Sequence, residues 1–382
     1  MNAPDHGPPT KILRGRSAME EVPTIVDGRA FLVTDRGIAE AGHAGRLQRA
    51  LEAAGVEVSR YDEARPNPCE DDVAACHDAY ERARRGGAID WIVALGGGSA
   101  IDVAKGCAML ACGGGRMADY VGRASIRVTN PKLIAVPTTA GTGSETQSFA
   151  LISNRDTGQK MACGGTAPVV AVLDPELTLT MPLGVTACTG LDTLTHAVEA
   201  FVTRRRSPSS CALALEAFQL AERAFEAVLD HPDDLESREQ MLAASALAGQ
   251  AIEQSMLGAA HSMANPLTRR FDVAHGQAVG QALPAVVAYN AGDPSTRGLY
   301  AELARATEVA SRDDSDDAAA AALGHRLRQL VQRAGFSPHV EGVPTSMANE
   351  LAAEAATQWT AQFNPRPVDA EAFAQLYREI LA

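Results

Sequence analysis

The chain has 382 residues, more than one hydrophobic core usually serves, so two domains are expected. With 46% hydrophobic and 21% charged residues it has a globular composition rather than a disordered one. A formal net charge of −13 argues against a nucleic-acid binder, which would carry a basic face.

The seven cysteines, at 69, 76, 107, 112, 163, 188 and 211, are odd in number and form no CxxC pair. Free thiols in a reducing compartment are the expectation. The opening stretch MNAPDHGPPTKILRGRSAMEE has no apolar h-region, and no 18-residue apolar run occurs. A cytoplasmic location follows as the default, with neither membrane nor nucleic acid as a partner.

In chain order, AFLVTD (30–35) reads as a strand ending in an acid. Residues 46–62 read as a helix, a glycine stop and a strand, and 71–87 as a helix closed by glycines. DWIVALGGGSAIDVAKGCAMLAC (90–112) is strand, glycine turn and helix, and KLIAVPTT (132–139) and VVAVLDP (169–175) are further strands. This alternation implies a mostly parallel, doubly wound α/β sheet. Beyond about residue 182 the strand signals fade. Residues 209–229, 238–257 and 316–335 carry apolar side chains at helical spacing, and a last helix closes the chain after NPRPVD. The expected division is an α/β domain over 1–182 and an all-helical domain over 183–382.

Two glycine-rich loops follow strands. In ALGGGSAIDVAK (94–105) the glycines let backbone approach a ligand, and Ser99 with Asp102 three residues on reads as a capping box at a helix start. Free N–H groups there suit a pyrophosphate. PTTAGTGSETQ (137–147) adds hydroxyls at Thr138, Thr139, Thr142 and Ser144. Both loops lie at strand C-termini, where open parallel sheets bind ligands. The alternative is two ordinary turns. Asp35, ending the first strong strand, can accept from a ribose 2′-hydroxyl and repel a 2′-phosphate, which favours NAD over NADP; as plain structure it is a helix N-cap.

Asp192 and His196 stand four apart in GLDTLTHAVEA and so share a helix face. Such a pair is either a salt bridge or half of a metal site. Only nine histidines occur, and His261 and His275 have small or apolar neighbours suited to a pocket wall. One carboxylate with three imidazoles is a sound set for Fe²⁺ or Zn²⁺. His6, His43, His77, His231, His325 and His339 lack such a setting and read as surface or structural.

GGGSAIDVAK, PTTAGTGSETQ, DPELTLTMP, TGLDTLTHAVEAF and AHSMANPL with AHG, collinear over nearly the whole chain, resemble the iron-containing (group III) alcohol dehydrogenases. The resemblance implies a dinucleotide-binding α/β domain, an all-α domain and a metal in the interdomain cleft. It implies metal ligands at Asp192, His196, His261 and His275. It also implies contacts to NAD(H) from Asp35, Asn67, Gly97, Gly98, Ser99, Thr138, Thr139, Thr142, Lys160 and Leu179, and a homodimer or larger assembly. The expected reaction is hydride transfer between nicotinamide and a short aldehyde or primary alcohol. One departure stands out. Where the family often has a second histidine, this chain has Asn265, which is no acid or base near neutral pH. The proton would then come from water or a ribose hydroxyl. Arg269 and Arg270 follow at once and could grip an anionic substrate group, such as the phosphonate of phosphonoacetaldehyde or a carboxylate, or be solvated surface charges. The competing functions are a dehydroquinate-synthase-like lyase with internally recycled NAD, and a non-catalytic metal or nucleotide binder.

Overall fold

The structure, a computed structural model, describes residues 10–122 and 130–381; His6 lies outside them. The chain divides into two compact units at Met181/Pro182, except that Ala140–Thr142 group with the second unit.

The first unit runs β1 (Lys11–Arg14), β2 (Arg29–Val33), α1 (Arg36–Glu40), α2 (His43–Ala53), β3 (Glu57–Tyr61), α3 (Glu70–Ala83), β4 (Trp91–Gly96), α4 (Gly98–Gly113), β5 (Lys132–Pro137), β6 (Phe149–Ser153), β7 (Lys160–Gly164) and β8 (Val170–Leu173). Six strands form one sheet in the order β1-β8-β5-β4-β2-β3, every pair parallel. Parallel sheets are covered on both faces, and these strands are accordingly apolar at successive positions. Leu32, Trp91, Val93 and Leu95 pack on one side with Leu47 and Leu51 of α2. Phe31, Val33, Ile92 and Ala94 pack on the other with Tyr80 of α3 and Ile101 of α4. Burying each such side chain is worth roughly 1.5–3 kcal/mol.

From β2 the chain moves outward to β3, then returns to the other side of β2 as β4. The sheet order therefore reverses between β2 and β4, and the crevice at the carboxyl ends there is where such sheets bind ligands. Asp35 follows β2, and Gly97 follows β4.

Three features differ from the sequence expectation. The edge strand β1 and the antiparallel β6–β7 hairpin were not anticipated. Ser99 is not the cap of α4: Gly97 holds that position, extended at φ −72 and ψ 179. Asp102 does not close a capping box either, because its carboxylate accepts from the Ser144 hydroxyl at 2.5 Å and the Leu151 amide at 3.1 Å.

The second unit is helical: α5 (Leu183–Val202), α6 (Pro208–Asp230), α7 (Leu235–Ser255), α8 (Ala259–Phe271), α9 (His275–Asn290), α10 (Pro294–Ala306), α11 (Asp316–Arg333), α12 (Ala348–Ala356) and α13 (Ala370–Ile380). At its centre, α5 is buried without a break from Gly190 to Val202, as expected of a helix packed on every side. Its neighbours come close enough to demand small residues. A Cβ on Gly190 would lie 2.3 Å from the Phe225 ring of α6, and one on Gly276 of α9 only 2.0 Å from the Cys188 carbonyl oxygen. No helix among the described residues is long and apolar enough to cross a membrane.

Candidate active site

In the first unit, the carboxyl ends of β2, β4 and β5 gather several of the expected cofactor residues. Asp35 is extended and caps α1, its Oδ1 accepting from the Ile38 amide at 3.0 Å. A Cβ on Gly96 would meet Asp35 Oδ2 at 3.1 Å, and one on Gly97 would meet Thr139 at 3.3 Å. The three strand ends are thus in near contact, with glycine leaving the backbone of the α4 N-terminus accessible. Asn67, in the left-handed region at φ 51, donates its amide to Ser99 Oγ at 3.3 Å, and Lys160 Nζ reaches Asn67 Oδ1 at 3.4 Å. Gly98 and Thr138 are buried, while Leu179 is exposed. Thr142 lies on the short segment that groups with the second unit.

Beneath the second glycine-rich loop lies a buried polar group that the sequence reading did not single out. The Lys105 ammonium donates to the Ser144 carbonyl at 2.6 Å, the Ser144 hydroxyl at 2.8 Å and the Phe149 carbonyl at 3.0 Å. Beside it Glu145 is only 1% exposed, with Oε1 lacking a hydrogen-bond partner. Burial, opposed by its own backbone amide and Lys105, pushes its carboxyl up to about 7.

In the second unit the four expected ligands converge. Asp192 and His196 lie one turn apart on α5, His261 in the first turn of α8, and His275 at the start of α9. Asp192 Oδ1 is 3.3 Å from His196 Nε2, 3.5 Å from His261 Nε2 and 3.8 Å from His275 Nε2. The His196 and His261 rings stack at 4.7 Å, and the His261 and His275 rings tilt by 57° at 5.4 Å. Donor atoms of Asp192, His261 and His275 all lie within 4.8 Å of one another; His196 joins them through Asp192. Asp192 and His196 are both buried, so the pair is no solvated surface contact.

The electrostatics follow from the packing. Burial would raise the Asp192 carboxyl, but the three imidazoles outweigh it and hold it down to about 2. Burial would lower His261, but Asp192 and Glu199 overcome it and lift it to about 9. For His196 burial dominates, and its affinity for a proton falls despite Asp192.

Asp192 Oδ1 and His261 Nε2 are both buried and neither makes a hydrogen bond. Orphaned buried polar atoms are rare and costly in folded proteins. A carboxylate oxygen and an imidazole nitrogen left so beside two further imidazoles suit a divalent ion.

The remaining candidates behave differently. Asn265, one turn beyond His261, donates its amide to Gln358 Oε1 at 3.0 Å. The arginines expected to grip an anion already hold carboxylates: Arg269 pairs with Glu354, and Arg270 pairs with Glu350 at 2.9 Å and Glu354 at 2.7 Å. Their charge is thus met by carboxylates of α12.

The sequence reading also passed over Glu199. It stands three residues after His196 and seven after Asp192, so the helical repeat puts it on their face; extending the i, i+4 pattern by one turn would have found it.

A nucleotide-type α/β unit joined to a helical unit with a carboxylate and three imidazoles has the parts of a metal-assisted redox enzyme. The sequence carries the same assignment further. A family model described as iron-containing alcohol dehydrogenase matches residues 9–175, and the Fe-containing alcohol dehydrogenase C-terminal model matches residues 186–381. A choline dehydrogenase of Bacillus subtilis is 34% identical, covering 97% of this chain and 93% of that protein. A 1,3-propanediol dehydrogenase of Klebsiella pneumoniae is 32% identical, covering 92% and 91%. The solved structure of an alcohol dehydrogenase from Oenococcus oeni superposes with a TM-score of 0.93 at 28% identity, covering 99% of this chain and 100% of that one. The chain belongs to the iron-containing alcohol dehydrogenase family. It is therefore an oxidoreductase acting on CH–OH groups, and the family's cofactors are NAD(H) and a divalent metal, typically Fe²⁺. That class displaces the lyase and non-catalytic readings.

Proposed function

We propose that this enzyme interconverts short, uncharged primary alcohols and their aldehydes, with residues 1–182 holding the dinucleotide and 183–382 the metal. Asp192, His196, His261 and His275 would ligate the metal. Asp35, Asn67, Gly97, Gly98, Ser99, Thr138, Thr139, Thr142, Lys160 and Leu179 would hold NAD(H). When bound, the metal would act as a Lewis acid on the carbonyl oxygen and the nicotinamide would supply the hydride.

The observation that carries this reading is the orphaned Asp192 Oδ1 among three imidazole nitrogens. The protein prepares those imidazoles from behind. His196 Nδ1 donates to the Gly141 carbonyl at 3.1 Å, and His261 Nδ1 faces Glu199 Oε2 at 2.7 Å. Each bond leaves Nε2 on the Asp192 side. Asn265 neither gives nor takes a proton near neutral pH, so no side-chain relay runs through that position.

The pairing of Arg269 and Arg270 with Glu350 and Glu354 supports the uncharged substrate. An anionic aldehyde such as phosphonoacetaldehyde would have to displace those carboxylates. NADH oxidation by the metal-reconstituted enzyme should be measured with propanal, phosphonoacetaldehyde and succinic semialdehyde. Highest kcat/KM for propanal, with Arg269→Met and Arg270→Met changing it less than about threefold, is expected of surface ion pairs. A preference for an anionic aldehyde that either variant removes would restore the anion-binding reading. We further propose a cytoplasmic homodimer. The seven free cysteines fit a reducing compartment, and light scattering of the purified protein would check the assembly.

A further inference from the structure

Glu199 is buried at 3% exposure, yet both its oxygens are fully engaged. Oε2 accepts from the Gly258 amide at 3.0 Å and lies 2.7 Å from His261 Nδ1, while Oε1 accepts from the Ala260 amide at 2.7 Å. The two amides come from the N-cap and first turn of α8, where backbone N–H groups have no partner within the helix. The Ala259 amide between them goes to Asn364 Oδ1 at 3.2 Å. A Cβ on Gly258 would come within 2.9 Å of Glu199 Oε1 and 3.0 Å of Asn364 Oδ1, so glycine lets both acceptors reach the helix end. A negative charge at a helix N-terminus is itself favourable.

One carboxylate thus does two things at once. It closes the helix end, and it accepts a hydrogen bond from Nδ1–H of the histidine carried by that end. With Nδ1–H so directed, Nε2 is the nitrogen left for a metal, 3.5 Å from Asp192 Oδ1. His196 has only a neutral carbonyl behind it, at Gly141. A carboxylate makes an imidazole a stronger and better-oriented ligand than a neutral acceptor does.

We infer that Glu199 is the positioning residue of the metal centre: it fixes the tautomer and orientation of His261 and ties both to the N-terminus of α8. This rests on the ligand set proposed above, so the test must separate the two. Co²⁺ binding to metal-free protein should be titrated by visible absorption and calorimetry in wild type, Glu199→Gln, Asn364→Ala and His261→Ala. Melting temperatures of the metal-free forms should be recorded in parallel.

Glu199→Gln keeps the shape but removes the charge and one acceptor. It should weaken Co²⁺ binding about 10–100-fold, as loss of a ligand's hydrogen-bond partner typically does, and change the absorption of the bound ion. Activity should return at raised metal concentration with KM for NADH unchanged. Asn364→Ala disturbs the same helix end without touching His261. It should lower the melting temperature and leave Co²⁺ affinity near wild type. If Glu199→Gln binds Co²⁺ as wild type does while His261→Ala does not, the Glu199 assignment is wrong and the ligand set stands. If His261→Ala also binds normally, the ligand set itself fails. Equal losses in Glu199→Gln and Asn364→Ala would reduce Glu199 to a helix cap and overturn the inference.

Discussion

The two units prepare for their ligands by opposite means. The α/β unit offers backbone and small polar groups spread over the ends of β2, β4 and β5, where the sheet order itself makes a crevice. The helical unit offers one carboxylate oxygen with three imidazoles within 3.8 Å of it, on three helices. The first site is a consequence of topology, with many weak contributors. The second depends on a few side chains that nothing else can replace. Single substitutions should therefore be graded in the first unit and close to all-or-none at the four candidate ligands of the second.

The sharpest break is Asp192→Asn. It removes the one charge that all three imidazoles face, and Lewis-acid assistance is worth several kcal/mol of barrier. Metal content after reconstitution should fall to background, and kcat/KM should drop on the order of 10³-fold or more. A variant that retained metal and most of its activity would remove the asymmetry between the units.

A pair of glycines sharpens the contrast at a smaller scale. Gly276→Ala would drive a methyl into the Cys188 backbone carbonyl at 2.0 Å, beside His275 at the start of α9. Overpacking of this kind costs about 1–3 kcal/mol, so the melting temperature and the metal affinity should fall together. Gly97→Ala meets only Thr139 side-chain atoms, at 3.3 and 3.4 Å, on an ordinary extended backbone. Its stability should stay near wild type while KM for NADH rises roughly tenfold, because the methyl would stand where a pyrophosphate approaches the helix end. Thermal melts and NADH titrations of the two variants, side by side, would check both halves.

What could be read from the sequence follows the same division. The β4–glycine–α4 unit and the Asp192–His196 turn are local signals, a strand, a break and a period of four, and each stands where the pattern puts it. The partners that decide a residue's role are not local. Ser99 has the spacing of a cap, but Gly97 takes that place, and Asp102 is claimed by Ser144 of the loop after β5 and by Leu151 of β6. Arg269 and Arg270 read as candidate anion binders, and no local signal shows that α12, some 80 residues on, pairs them with Glu350 and Glu354. The edge strand β1 is four residues with charged ends, KILR, too short for an alternating pattern to register. Glu199 is the intermediate case: its helix face was readable, but its partners Gly258, Ala260 and His261 come from another helix.

The smallest expected effect tests the contrast through two buried carboxyls driven in opposite directions. In the helical unit, imidazoles hold Asp192 down to about 2. In the α/β unit, burial pushes Glu145 up to about 7 against the modest pull of its own amide and Lys105. A folded pKa raised above the unfolded value of 4.5 means that the native state holds the extra proton between those limits. The stability from that proton is complete below about pH 4.5 and is lost as pH rises through about 7. That displacement would correspond to about 3 kcal/mol, and local relaxation should reduce this to roughly 1 kcal/mol. Glu145→Gln cannot ionise, so its stability should match wild type near pH 5 and exceed it at pH 8. Urea unfolding at pH 5, 6.5 and 8 would show the gap opening with pH. A constant gap would mean that Glu145 is already ionised at pH 5, and that the Lys105 cluster holds a charge much as the histidines hold Asp192.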